Sequence, residues 1–190
     1  MARLFTAIEL ERDLRAEVTR VQADATRLLH DPGFRIVPAS QLHLTLVFLG
    51  EVAEPRVPPV RDAMSRDLPA VPFTLSFEGW GVFPPRGAAR VLWLGVEQGR
   101  DALQALFDMV SARLADAGVP GERRAFTPHL TLGRWRNSSR SPRPHLPATG
   151  PVGAQRVTAV TLFQSRLLPR GAEHVAVTRA ALAGAGHALH

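Results

Sequence analysis

QLHLTLVFLG at residues 41–50 and TPHLTLGRW at residues 127–135 carry the same tetrapeptide, His-Leu-Thr-Leu, beginning at His43 and at His129. On an extended strand, residues i and i+2 share a face. His43 and Thr45 therefore point one way, while Leu42, Leu44 and Leu46 point the other. His129 and Thr131 repeat the arrangement, with Leu130 and Leu132 behind them. Each strand presents an imidazole beside a hydroxyl on a polar face, anchored from behind by leucines.

The surroundings repeat too. RLFTAIE (Arg3–Glu9) reads as a strand, followed by a helical stretch from Glu11 to Leu29. Leu14, Val18, Val21, Ala25 and Leu28 mark its apolar face, and Asp31-Pro32-Gly33 ends it. RVLWLGVE (Arg90–Glu97) reads as a second strand, followed by a helix over Asp101–Ala117 with Leu103, Leu106, Phe107, Val110 and Leu114 on one face. Each strand–helix pair leads, at nearly equal spacing, to its own HLTL. A duplicated unit related by a pseudo-two-fold brings the two motif strands into one central cleft.

The remaining segments read as follows. FRIVPASQLHLTLVFLG is extended. Glu54–Leu68 is a helix weakened by Pro55, Pro58 and Pro59. FTLSFE (Phe73–Glu78) is a strand, Trp80–Arg86 a loop, and Phe126–Trp135 a strand. Asn137–Pro147 is a polar, Pro-rich loop. Gln155–Leu168 and Glu173–Arg179 are closing strands, and the tail 181–190 is expected to fray.

With 190 residues, 45% of them hydrophobic, the chain can bury one core across residues 1–190. The absence of cysteine excludes disulfides, thiolate catalysis and thiolate metal sites. No GxxxxGK[ST] and no GxGxxG after a strand offers a triphosphate or dinucleotide cradle. MARLFTAIELERD lacks the apolar core of a signal peptide, and no stretch approaches the roughly 20 apolar residues of a membrane span. A soluble, cytoplasmic monomer is expected. Net charge is +6 and the pI about 11.4. That balance suits a polyanion such as RNA, or an arginine-rich solvated surface.

Two imidazoles and two hydroxyls around one volume suit phosphodiester chemistry. A neutral histidine takes a proton from water, and a protonated one gives a proton to the leaving alkoxide. Threonine hydroxyls donate to the non-bridging phosphate oxygens. A zinc site would want three or four ligands, and these strands supply two histidines and no acid, so no metal is expected. No cofactor is expected either.

Paired H-x-T-x motifs in a duplicated chain of this length resemble the 2H phosphoesterase superfamily. Within it, RLFTAIEL, LHLTLVFLG, TPHLTLGR and LFQSRLLPRGA resemble the RNA 2′,3′-cyclic phosphodiesterases, also called LigT-like or 2′-5′ RNA ligases. The resemblance implies an α+β bilobal fold, with two antiparallel sheets facing a central cleft and helices on the outer faces. It implies metal-independent hydrolysis of RNA 2′,3′-cyclic phosphate ends, on tRNA fragments or nucleotides, to 2′-phosphate ends. It makes His43 the general acid and His129 the general base, with Thr45, Thr131 and Arg134 holding phosphate. His174 departs from the aromatic residue that many relatives carry there.

Other readings remain beside this one. The same chemistry run with a 5′-hydroxyl in place of water is 2′-5′ RNA ligation. The substrate could instead be a small cyclic nucleotide or a 2′-5′ oligoadenylate, or the site could bind RNA ends without catalysis. Strict alternation from His129 turns Arg134 away from the cleft; a bulge or twist at Gly133 turns it inward. Phe48 stands at the corresponding place after His43, either stacking on a base or packing in the core. Trp135 and Trp80 carry the same two readings. Ser165 reads as shaping a turn. His145, His174, His187 and His190 read as surface residues. The arginine-rich loop Arg134–Arg143 is either an RNA contact or a solvated loop.

Overall fold

In the computed structural model, residues 1–122, 125–136, 143–144, 147–168 and 171–184 are described. Nine strands and three α-helices form among them, in the order β1 (Ala2–Glu9), α1 (Arg12–Leu29), β2 (Phe34–Ile36), β3 (His43–Val52), α2 (Val57–Met64), β4 (Phe73–Phe83), β5 (Val91–Val96), α3 (Arg100–Asp116), β6 (His129–Trp135), β7 (Gly153–Val157), β8 (Ala159–Leu168) and β9 (Gly171–Ala181). They make two antiparallel sheets, β3-β1-β8-β9 and β2-β6-β5-β4-β7. Apart from the extra edge strand β2, the two orders superimpose, with β3 matching β6 and β1 matching β5. The fold is α+β and bilobal, as the repeat implies.

The leucines behind the motifs build the core. Leu42, Leu44, Leu46, Leu130 and Leu132 are all buried. Helix α1 packs on β2, β6 and β7, while α3 packs on β3 and α2. Each half's helix thus lies against the motif strand of the other half, which ties the two lobes together.

Both motif strands carry a β-bulge at the same place. In the β1–β3 ladder, Ala7 opposes Thr45 and Thr6 opposes Val47, so Leu46 is an extra residue. In the β5–β6 ladder, Trp93 opposes Thr131 and Leu92 opposes Gly133, so Leu132 is the extra residue. One inserted residue shifts the alternation by one step. In the first bulge, Val47 donates its N–H to the fully buried Thr6 hydroxyl at 3.1 Å. In the second, the Leu132 carbonyl accepts from Gln22 Nε2 at 2.7 Å and from the Val37 N–H at 2.8 Å. Gly133 is needed there, because a Cβ would lie 2.8 Å from the Arg35 carbonyl and closer still to the Phe34 ring.

Four sequence expectations need correction. Trp80–Phe83 is not loop but the second half of β4, which continues through a register shift between Glu78 and Trp80. Gln155–Leu168 is not one strand. The chain leaves the β4-containing sheet at Val157 and enters the other at Ala159, a switch that continuous β-type composition hides. Glu54–Leu68 shortens to a 3-10 turn at Glu54–Arg56 and α2, because its prolines delay the helix. The tail does not fray from 181: Leu182 donates to the Thr158 carbonyl, Ala183 to Leu68 and Gly184 to Ala70. Residues 185–190, most of the Asn137–Pro147 loop, and His145, His187 and His190 lie outside the described residues.

Replacing Thr6 by valine keeps the volume and strands the buried Val47 N–H. The cost of leaving such a group unsatisfied is about 1–3 kcal/mol. Urea unfolding of Thr6→Val is expected to show a stability loss of that size; an unchanged midpoint would mean that the hydroxyl does not support the bulge.

Candidate active site

The bulges decide what faces the cleft. After the shift, Arg134 returns to the face of His129 and Thr131, and Phe48 to the face of His43 and Thr45. A cavity of about 440 Å³ is lined by His43, Thr45, Phe48, Thr131 and Arg134 together with Arg3, Arg35 and His174. A neighbouring cavity of about 430 Å³ is lined by His129, Thr45 and Phe48 with Phe83, Phe107 and Phe126. The two share Thr45 and Phe48 in their walls. All six residues singled out from the sequence thus border these two adjoining cavities, which together form the cleft. Arg134 faces inward, at a bulge one residue before Gly133 rather than at it.

The two imidazoles are held alike. His43 Nδ1 lies 2.7 Å from the Gln41 carbonyl, and His129 Nδ1 lies 2.6 Å from the Thr127 carbonyl, each two residues back along the chain. A carbonyl can only accept, so each Nδ1 carries the hydrogen. Each neutral ring therefore presents a bare Nε2.

Aromatic rings seat both histidines. The Phe5 ring lies 5.0 Å from His43, with Phe163 at 6.2 Å. Phe83 meets His129 edge-on at 4.9 Å, with Trp93 at 6.1 Å. These seats exclude water, and burial is what lowers both pKa values. His43 is lowered from 6.5 to about 4, by burial first, then by repulsion from the positive charge of Arg134 and from the protonated form of His174, against a raising effect of the Gln41 carbonyl. His129 is lowered by burial and by Arg134, against the Thr127 carbonyl. Both imidazoles are neutral at pH 7 in the free protein.

His174 is not a surface residue. Its ring meets His43 edge-on at 5.3 Å and Phe5 at 5.0 Å, and its buried Nδ1 has no hydrogen-bond partner. Local sequence pattern could not place it beside His43, since β9 reaches β3 only through β8 and β1, and the family resemblance marked the position only as a departure from an aromatic residue. Ser165 lies in β8 and lines the His43 cavity rather than a turn. Phe48 stacks on Phe5 at 6.4 Å, with the Arg3 guanidinium 5.2 Å from its own ring, so it is both packed and open to the cleft. Trp135 is core: it is buried, packs on Phe34 and donates to Asp31 at 3.0 Å. Trp80 donates to the Pro147 carbonyl and lies outside both cavities of the cleft. Among the described residues, no three His, Cys, Asp or Glu side chains gather as a metal-binding group would, and no helix is long and apolar enough to cross a membrane.

The sequence pattern of the LigT like Phosphoesterase family matches this chain twice in tandem, at residues 8–93 and 94–173. An Archaeoglobus fulgidus protein named RNA 2′,3′-cyclic phosphodiesterase is 32% identical over 171 residues, covering 89% of this chain and 94% of that one. The crystal structure of TT0787 of Thermus thermophilus superimposes with a TM-score of 0.79 at 31% identity, covering 96% of this chain and 98% of that one. The crystal structure of E. coli LigT complexed with 3′-AMP gives 0.78 at 31% identity, with the same coverages.

An anion in the cleft offsets Arg134 and pairs with an imidazolium, so it favours the protonated rings. Saturating orthophosphate is therefore expected to raise the pKa of His43 and of His129, followed by NMR of the imidazole Cε1–H signals. A fall, or no movement in either ring, would refute this account of the site.

Proposed function

The chain belongs to the LigT-like phosphoesterase family, and from that premise we propose that it hydrolyses RNA ending in a 2′,3′-cyclic phosphate to a 2′-phosphate end. The observation that carries this reading is the matched pair of imidazoles. Each has its Nδ1–H held by a carbonyl, each exposes Nε2, and each stands two residues from a cleft threonine.

In this scheme His129 takes a proton from water at Nε2. The water oxygen bonds to phosphorus while the P–O3′ bond breaks, and protonated His43 gives its Nε2 proton to O3′. The products are a 2′-phosphate and a free 3′-hydroxyl. The two histidines have then exchanged protonation states and reset through solvent. Each proton transfer is typically worth about 10²–10⁴-fold in rate. Thr45 and Thr131 donate to the non-bridging oxygens, and Arg134 offsets their charge in the transition state. The acid is made on binding: His43 is neutral in the free protein, and the substrate's negative charge raises its pKa. No metal takes part.

A second reading has one observation in its favour. The cavity beside His129 is far larger than a water molecule and is walled by Phe83, Phe107 and Phe126. A nucleoside 5′-hydroxyl seated there would attack in place of water and give a 2′-5′ linkage.

An oligonucleotide with a 2′,3′-cyclic end, incubated with the protein in excess EDTA, tests both. Hydrolysis to the 2′-phosphate alone is expected. His43→Ala and His129→Ala are each expected to lower kcat by roughly two orders of magnitude or more, and the double variant to be little worse than either. Loss of activity in EDTA, a 3′-phosphate product, or near-normal turnover in either single variant would overturn the scheme. A joined product with an added 5′-hydroxyl acceptor would favour ligation.

A further inference from the structure

The two cavities of the cleft differ sharply in charge. The wall on the His43 side holds three guanidinium groups, of Arg3, Arg35 and Arg134, and no carboxylate. The wall on the His129 side is aromatic, and its charged residue is Glu122. Arg134 is accounted for by the cyclic phosphate. Arg3 and Arg35 are not.

Arg35 is the more telling of the two. It stands directly opposite Arg134 in the β2–β6 ladder. Like charges directly opposite one another destabilise a sheet, and among the described residues no acid offsets this pair: neither arginine, nor Arg3, makes an ion pair. Glu51 faces Arg3 across the β1–β3 ladder without reaching it. Arg35 Nη1 is tied to the Pro32 and Phe34 carbonyls at 2.5 and 2.8 Å. That anchors the guanidinium at the cavity wall and leaves its Nη2 and Nε hydrogens without a partner among the described residues. Arg3 is held by the Phe48 ring at 5.2 Å, and its guanidinium makes no hydrogen bond among the described residues. Two fixed cations with spare donors, beside a third that already serves one phosphate, call for a second anion.

We propose that Arg35 and Arg3 form a second phosphate site, which takes the internucleotide phosphodiester immediately 5′ of the cyclic phosphate. The proposal rests on the reading of His43 as the acid. Attack on phosphorus runs in line, so the leaving O3′ and its ribose lie on the side of His43 and the water on the side of His129. The strand continues from that ribose through its O5′, and so enters the basic cavity rather than the aromatic one. The preferred substrate is then an RNA strand of at least two nucleotides, not a cyclic mononucleotide.

The test compares kcat/KM for a 2′,3′-cyclic mononucleotide with that for a dinucleotide ending in the same nucleotide. Wild type is expected to prefer the dinucleotide by at least about tenfold, the scale of a hydrogen bond to a charged group. Arg35→Gln and Arg3→Gln should each shrink that preference, and the pair together should abolish it. Arg134→Ala should slow both substrates alike. The mononucleotide rate of each variant reports its folding. On the substrate side, an uncharged methylphosphonate linkage should lose the preference in wild type. Equal kcat/KM for the charged and uncharged dinucleotides, or a preference that survives both glutamine variants, would overturn the second site alone. A wild-type protein that opens none of these substrates would instead overturn the hydrolase reading, and this proposal with it.

Discussion

Just after its threonine, each motif strand inserts one residue that its partner does not oppose, and the cleft depends on that mismatch. Without Leu46 and Leu132 as extra residues, strict alternation would turn Phe48 and Arg134 into the packed layer behind the strands. Arg134 buried there would be an unpaired cation, a costly state. The bulges are supported from outside their own strands, by the Thr6 hydroxyl in one lobe and the Gln22 amide in the other. Gln22 also bonds the Val37 carbonyl at 2.8 Å, so one side chain of α1 joins β6 to the segment that leads into β3.

Symmetry in the backbone coexists with asymmetry in the side chains. His43 and His129 share a tautomer, a backbone partner position and an aromatic seat. The residues five places later differ: an aromatic in one lobe, a guanidinium in the other. The β5 residue opposite Thr131 is Trp93, where β1 has Ala7 opposite Thr45. These substitutions on a common frame give one basic cavity and one aromatic cavity, so a molecule with a charged end and an attacking group meets different walls on its two sides.

Much of this was legible in the sequence because it follows from local period. The HLTL pairs, the flanking strand and helix of each half, and the placement of four polar residues on one face need only alternation and the duplicated order. What could not be read depends on partners distant in the chain. A bulge at Leu132 is recognised through Gln22, far away on α1. His174 reaches His43 only because β9, β8, β1 and β3 lie side by side. The switch between sheets near Thr158 leaves no mark, since the residues on both sides favour strands equally. The Trp80–Phe83 segment reads as part of a loop, yet β5 pairs with it across a register shift.

The topology also governs when the cleft can come into being. Arg3 on β1 pairs with Ser165 on β8, and the same sheet takes β3 from the first third of the chain and β9 from the last. During synthesis β1 and β3 emerge early, but a two-stranded ribbon is at best marginally stable in water. The strand that bears His43 must therefore wait for residues 159–181 before its sheet closes. Contacts of such long range slow folding and leave strand edges unpaired meanwhile. The sequence repeats in two halves, but the sheets do not divide there: β8 and β9 complete the sheet of β1 and β3, and β2 joins the sheet of β4 to β7.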